Sequence, residues 1–362
     1  MSRLVYSLAG EGRGHAARAR AIAEDVCREH EVTLLASGQA YTFLKRLYED
    51  TGRVRVEWIP GLRFQYYRSR VNYWRSLLGS IPFALRLSRH VDRVAETVSR
   101  LGPDLAVSDF EPLLPRVAKR LGIPLISCDH QHFLVESQLI ELPRLLRWQA
   151  RFIGLPVRWF CSGQRETIVS SFFRARLKPQ ARHVTQIGVL IRPELLSAEC
   201  EDDGRLLVYV RRAVPGLIEA LRVFGKPARI YGLGCQPPAG RLEFRSVDET
   251  SFLKDLAACH AVVSTAGNQL LGEALFLGKP VLAIPEPGNI EQAINGHFLE
   301  FTGGGMCFPH ERFSIQSLLA FLEAVPELRS RIDRTLLVGN QAARTILARH
   351  LPCVAKEPAW VA

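Results

Sequence analysis

No run of about 18 uncharged apolar residues occurs in this 362-residue chain, so no membrane-spanning helix is expected. The apolar run in the opening MSRLVYSLAGEGRGH is too short for a signal peptide, which makes cytoplasmic residence the expectation. Eight cysteines are present: Cys27, Cys128, Cys161, Cys200, Cys235, Cys259, Cys307 and Cys353. None form CxxC and none stand at zinc-ligand spacing, so reduced thiols are expected and no metal. Low-complexity segments and short repeats are also missing. The chain is 47% hydrophobic and 23% charged, a composition that excludes a disordered tail, a coiled coil or a collagen-like rod. At roughly 150 residues per domain, the length suggests two domains.

Positive charge is present in excess but lies in one half. Residues 1–190 hold 29 Lys and Arg against 17 Asp and Glu, a net of +12, and residues 191–362 carry −1. That asymmetry points to an anionic partner for the first half. Two stretches there interleave arginines with aromatic rings. One is 62–93, with seven arginines and Phe64, Tyr66, Tyr67, Tyr73, Trp74 and Phe83; the other is 144–161, RLLRWQARFIGLPVRWFC. Rings at headgroup depth and guanidinium groups on phosphates suit peripheral contact with an anionic membrane. Amphipathic helices with solvated arginines are the bland alternative. Nucleic acid is not expected, because no nucleic-acid motif accompanies the charge.

Strand and helix alternate along the chain. Leu4–Leu8, Val32–Ala36, Val54–Trp58, Leu105–Ser108 and Leu125–Cys128 read as strands of a first sheet. Leu206–Val210, Ala228–Tyr231, Ala261–Ser264 and Val281–Ile284 read as strands of a second. Helical stretches begin with Ala16–Arg28 and recur near 214–224, 249–258, 268–277, 290–301 and 314–349. Two doubly wound parallel sheets follow, with a boundary where IGVLIRPELL gives way to SAECEDDG. The expected α/β division is 1–190 and 191–345, with 346–362 as a tail crossing back to the first domain.

The loop Gly10-Glu11-Gly12-Arg13-Gly14-His15 follows the first strand and opens a helix. Gly12 and Gly14 would let backbone N–H groups approach a ligand at the helix start. It is not a dinucleotide fingerprint: Gly14 comes one residue early, and the second strand ends Ala36-Ser37-Gly38-Gln39 without an acid for a ribose. His15 at the helix mouth is instead a candidate general base. Two other strand ends carry chemistry, Ser108-Asp109-Phe110-Glu111 and Asp129-His130-Gln131-His132. Asp109 or Glu111 is an alternative base, and capping of the next helix by Asp109 or Asp129 is the plain structural role.

The densest motif runs from Ser264 to Pro285, STAGNQLLGEALFLGKPVLAIP: strand, glycine turn, helix, Gly-Lys-Pro, strand. Gly267 and Asn268, with Ala266 before them in the turn, suit a pyrophosphate. Glu273, two turns on, could chelate the vicinal hydroxyls of a ribose, and Glu291 and Gln292 could read sugar hydroxyls.

On these residues the chain resembles the GT-B glycosyltransferases. Nearest in pattern are the lipid-linked N-acetylglucosamine transferases of peptidoglycan synthesis and the diacylglycerol galactosyltransferases. The resemblance implies two Rossmann-like domains facing across a cleft, the first binding the acceptor at the inner membrane face and the second a nucleotide sugar, usually UDP-linked. It implies Glu273 on the ribose, Gly267 and Asn268 on the diphosphate, Glu291, Gln292 and Asn295 on the donor sugar, and Phe252 and Leu253 beside the uracil. His15 would lie at the reacting centre of an inverting transfer that needs no metal or other cofactor, from a UDP-hexose or UDP-N-acetylhexosamine to a lipid-linked or glycan acceptor. One departure is clear: where such families carry a Gly-Gly-Ser loop, this chain has Arg211-Arg212-Ala213, which could clamp the diphosphate directly. A UDP-N-acetylglucosamine 2-epimerase and a non-catalytic nucleotide-sugar binder are the competing readings.

Overall fold

The computed structural model describes residues 1–62, 66–67, 70–71 and 73–351. Its first sheet contains β1 (Arg3–Leu8), β2 (Glu31–Ala36) and β3 (Val54–Trp58). A two-residue antiparallel pair follows, β4 (Tyr66–Tyr67) and β5 (Arg70–Val71), outside that sheet. The sheet then resumes with β6 (Leu105–Asp109), β7 (Leu125–Asp129), β8 (Glu166–Ser170) and β9 (Val184–Ile187). The second sheet holds β10 (Leu206–Tyr209), β11 (Ala228–Tyr231), β12 (Leu242–Arg245), β13 (Ala261–Ser264), β14 (Val281–Ala283) and β15 (Gly305–Cys307). The orders are β3-β2-β1-β6-β7-β8-β9 and β12-β11-β10-β13-β14-β15, with every pairing parallel. Helices bury both faces, which is why β6, β7 and β13 are short apolar runs with no alternation.

In each sheet the chain order reverses once, between β1 and β6 and between β10 and β13. Crevices for ligands open beyond the carboxyl ends of strands at such reversals. The His15 loop and Asp109 leave the first reversal; the Arg211 loop and the turn at 265–267 leave the second.

An apolar cluster runs through both lobes. Phe173 of the first, edge-on to Phe133, stacks on Phe298 of the second with the ring centres 3.8 Å apart. Val338 bridges Val189, and the helix Asn340–His350 buries Ala343, Ile346 and Leu347 with Ile22 and Val26 of the first lobe. The chain therefore returns to the first lobe from 338 onward, earlier than 346. Residues 352–362 of the anticipated tail lie outside the described residues, as do 63–65, 68–69 and 72 of the basic aromatic stretch. Among the described residues, no helix is long and apolar enough to cross a membrane.

Candidate active site

The turn after β1 is tight. A Cβ on Gly10 would lie 2.8 Å from the Ser37 carbonyl oxygen, and Gly12 adopts φ 79° before the helix Arg13–Val26. Leu8 pairs with Asp109, and the Ala9 N–H donates to the Asp109 carbonyl at 3.0 Å, so the loop and the end of β6 share one corner. There His15 Nδ1 lies 2.8 Å from Asp109 Oδ1. Arg18, one turn further along the helix, grips the same carboxylate twice: Nε donates to Oδ2 and Nη2 to Oδ1, each at 2.8 Å. Arg18 Nη2 is also 3.0 Å from His15 Nδ1, and the Tyr6 hydroxyl donates to Oδ2 at 3.3 Å. Burial works against the Asp109 charge, but Arg18 and His15 outweigh it and hold the carboxyl below its usual range. Phe110, next in the chain, sits at φ 53° and lays its ring parallel to His15. A non-glycine residue there stores strain, a common mark of functional sites.

Glu111 does not join this group. It is buried, and its two oxygens accept from the N–H groups of Leu113 and Leu114 at 2.8 and 2.9 Å, capping the helix Leu113–Leu121. Burial pushes its carboxyl up to about 7. The expectation that it could act as base is corrected to a structural cap. Asp129 likewise turns inward, accepting from the Ser127 hydroxyl and the His132 N–H and meeting His132 Nδ1 at 2.6 Å. Its neighbours at His132 bring it down to about 2 against the pull of burial.

Across the gap, Ala266 adopts φ 59°, and the helix Asn268–Phe276 begins with no side-chain cap. Gly267 is exposed, with open space where a Cβ would be. The amides of this turn are ready for an anion. The other expected donor residues are tied down in several ways. Asn268 Oδ1 accepts from the Ser171 hydroxyl at 3.3 Å and the Phe172 N–H at 3.4 Å. Asn295 Nδ2 donates to the Ala266 carbonyl at 3.0 Å, and its Oδ1 meets His130 Nε2 of the first lobe at the same distance. Gln131 Nε2 donates to Glu291 at 3.4 Å, and Gln292 Oε1 accepts from the Glu286 N–H. Arg211 forms a bidentate pair with Glu286. Phe252 and Leu253 are core residues, Phe252 packing edge-on against Tyr209 and Tyr231, so their side chains do not line the gap as expected.

Glu273 differs most from its expected setting. Expected on the ribose hydroxyls, it is fully buried, and both of its oxygens accept from Arg192, at 2.8 and 2.5 Å. Arg192 comes from the segment joining the lobes and also reaches Glu249 at 2.5 Å. Glu249 in turn meets Arg20 at 3.3 Å and Arg13 at 3.7 Å, and Arg20 pairs with Glu194. The gap beside Glu273 thus holds a chain of alternating charges joining both lobes. Sequence reading found neither Arg18 nor Arg192. Arg18 had one visible signal, a basic residue on the apolar stripe of an alanine-rich helix, three positions after His15.

The Gly14 turn of the first lobe meets the second lobe at Gln269, whose Cβ would lie 3.6 Å from a Cβ on Gly14. Buried polar atoms without a partner among the described residues gather around this gap: His130 Nδ1, Gln131 Oε1, Ser264 Oγ and Gln269 Oε1. Such atoms are rare in folded proteins and mark places where a polar ligand fits. On the outside of the first lobe, the helix Arg144–Phe160 buries Ala150, Gly154 and Val157. It exposes Leu145, Trp148, Phe152, Leu155 and Trp159, spaced by three or four residues along one stripe and flanked by arginines.

The sequence profile of glycosyl transferase family 1 matches residues 2–326. Two relatives carry the name UDP-N-acetylglucosamine–N-acetylmuramyl-(pentapeptide) pyrophosphoryl-undecaprenol N-acetylglucosamine transferase. The one from Methylorubrum populi is 26% identical over 79% of this chain and 81% of its own length. The one from Rhodospirillum rubrum is 23% identical over 93% and 86%. Among solved structures, the glycotransferase of kitacinnamycin superposes with a TM-score of 0.64 at 17% identity, covering 97% of this chain and 99% of that one. MurG of Acinetobacter baumannii gives 0.60 at 14%, covering 96% and 100%. These likenesses identify the fold as GT-B, two Rossmann-like lobes facing one another.

Proposed function

This chain belongs to glycosyl transferase family 1 and is a GT-B glycosyltransferase, and we propose that it moves a sugar from a UDP-hexose or UDP-N-acetylhexosamine to a lipid-linked acceptor at the inner face of a membrane, with inversion. The observation that carries this reading is the opposition of two half-sites where the Gly14 turn meets the helix Asn268–Phe276. One is His15 held by Asp109; the other is the uncapped helix start at Gly267.

The chemistry follows from those groups. The carboxylate of Asp109 takes the Nδ1–H of His15, which leaves Nε2 as the basic nitrogen. Nε2 accepts the proton of the acceptor hydroxyl as its oxygen attacks the anomeric carbon. The bond from that carbon to the diphosphate oxygen breaks on the opposite face. Charge growing on the leaving nucleoside diphosphate is received by the amides at Ala266, Gly267 and Asn268 and by the positive end of the helix behind them. Asp109 is the poorer base because Arg18 neutralises it and holds it ionised. Ribose binding at Glu273 exchanges the Arg192 ion pair for hydrogen bonds from two hydroxyls. Glu291 and Asn295 lie beside the sugar, near the unpartnered atoms of His130 and Gln131. The exposed stripe of Arg144–Phe160 faces the lipid, its tryptophans at headgroup depth and its arginines on phosphates. The names of the relatives support a UDP-sugar donor and a polyprenyl acceptor.

The test is transfer of radiolabel from UDP-N-acetylglucosamine or a UDP-hexose to a polyprenyl-pyrophosphate glycan, with the anomeric configuration of the product read by NMR. A labelled lipid of inverted configuration is expected. Epimerised donor without acceptor, or UDP binding without transfer, would replace this reading with one of its rivals.

A further inference from the structure

We propose that Arg18 is a positioning residue that sets the tautomer and charge balance of His15; the inference rests on the reading of His15 as the base. The geometry around the imidazole is unusual. A histidine paired with a lone buried carboxylate gains a strong preference for the doubly protonated form, which cannot accept a proton. Here the carboxylate is not alone. Asp109 Oδ1 stands 2.8 Å from His15 Nδ1, and Arg18 Nη2 stands 3.0 Å from the same nitrogen. Opposite charges at nearly equal distance largely cancel at Nδ1.

Arg18 also fixes direction. Its guanidinium fork occupies Asp109 from one side, with Nε on Oδ2 and Nη2 on Oδ1. The carboxylate is locked in plane, and the remaining lone pair of Oδ1 faces His15. Nδ1 cannot both donate to Oδ1 and accept from Nη2; we take the shorter contact, 2.8 Å to Oδ1, as the hydrogen bond from Nδ1, with the Nη2 hydrogen spent on Oδ1 as well, so that Nε2 keeps its lone pair. Arg18 and Asp109 are 3% and 0% exposed in their side chains, so water does not screen the arrangement.

Of the other groups that feel Arg18, Asp129 is held ionised by His132 against the pull of burial, and burial holds His130 below its usual range. Tyr6 and Cys128 abut Asp109 and Arg18, and burial pushes the proton affinity of both well up, leaving them neutral. Arg13, on the same turn as His15, is directed to the Val247 carbonyl and Glu249. Gln269, which faces Gly14 from the second lobe, does not titrate.

Removing the Arg18 charge leaves Asp109 uncompensated beside His15, which favours the imidazolium. The acid limb of the kcat/KM profile of Arg18→Gln should therefore move up by about one to two pH units. At a pH just below the wild-type limb the variant is then about 10- to 100-fold slower, and the deficit shrinks in alkali. Arg18→Lys, which restores a point charge, should keep the limb within about half a unit of wild type. A structural role alone predicts an equal loss at every pH, and that result overturns the proposal. So does an unshifted limb in Arg18→Gln, or a limb in Arg18→Lys displaced as far as in Arg18→Gln.

Two outcomes would leave the pH profile unread: an Arg18→Gln protein that does not fold, and a donor panel that gives no transfer. Nitrogen NMR of histidine-labelled wild-type protein covers both cases, with the His15 signal assigned by its loss in His15→Gln. The proposal requires the Nδ1–H tautomer at neutral pH, and an Nε2–H tautomer or a doubly protonated ring refutes it. That result stands whether or not turnover is detected, so failure here is distinct from failure of the transfer reaction.

Discussion

The Glu273–Arg192 pair allows the sharpest test of how the lobes are joined. Arg192 donates twice to Glu273 and once to Glu249, and Glu273 otherwise accepts only from Gln269 Nε2 at 3.0 Å among the described residues. Arg192→Met leaves a fully buried carboxylate with a neutral amide as its partner. Breaking a buried ion pair from one side in this way costs about 3–5 kcal/mol. Glu273→Gln is milder, because Arg192 keeps Glu249 and one amide oxygen; about 2 kcal/mol is expected. The double variant removes both charges and should be less destabilised than Arg192→Met alone, a coupling of roughly 2 kcal/mol or more. At about 2–4 °C per kcal/mol, Arg192→Met lowers Tm by roughly 10 °C and Glu273→Gln by about half that. Differential scanning calorimetry of the three variants measures the cycle. Additive losses, or an Arg192→Met protein as stable as wild type, would refute the buried pair and with it the charge chain between the lobes.

Three further outcomes are expected. His15→Ala should lower turnover about 10²–10⁴-fold while UDP affinity, read by calorimetry, stays within about twofold; near-normal turnover removes it as the base. Glu111 keeps its proton up to about 7 in the folded protein, above its ordinary value of 4.5, so its contribution makes stability fall as pH rises between those values. Urea midpoints should show that decline, and Glu111→Gln should flatten it while sparing transfer; an unaltered pH slope contradicts the assignment. Trp148→Asp with Leu155→Asp should cut sedimentation with phosphatidylglycerol vesicles at least about tenfold, with circular dichroism unchanged; undiminished binding removes this helix as the membrane face.

Much of the fold was legible because the central strands are buried on both faces. β6, β7, β13 and β14 appear as uninterrupted apolar runs between helical stretches, and each was read within a residue or two. β8, β9, β12 and β15 were not read. Thr167, Thr185 and Gln186 interrupt β8 and β9, Leu242–Arg245 alternates polar and apolar residues, and β15 is three residues long. The candidate site was legible where chemistry sits at a strand end, as for His15, Asp109 and the turn at Gly267. Partners brought in from distant sequence were not: nothing in the local pattern tells that Arg192 reaches Glu273 or that His130 meets Asn295. Glu111 and Asp109, two residues apart, look alike in sequence. They diverge because Asp109 ends a strand opposite Arg18, whereas Glu111 caps the helix that follows.

The central claim is that the gap binds a nucleoside diphosphate on the turn at Ala266–Asn268. Gly267 offers the direct test, because its backbone is ordinary (φ −73°) and a side chain there would enter open space. Gly267→Val should therefore melt at the wild-type temperature while filling the place of the phosphates. In a thermal-shift titration, UDP at about 100 times its Kd should stabilise the wild type by about 2.7 kcal/mol and leave Gly267→Val unmoved. A wild-type protein indifferent to every nucleoside diphosphate and nucleotide sugar, or a Gly267→Val protein that responds as fully as wild type, would contradict the account.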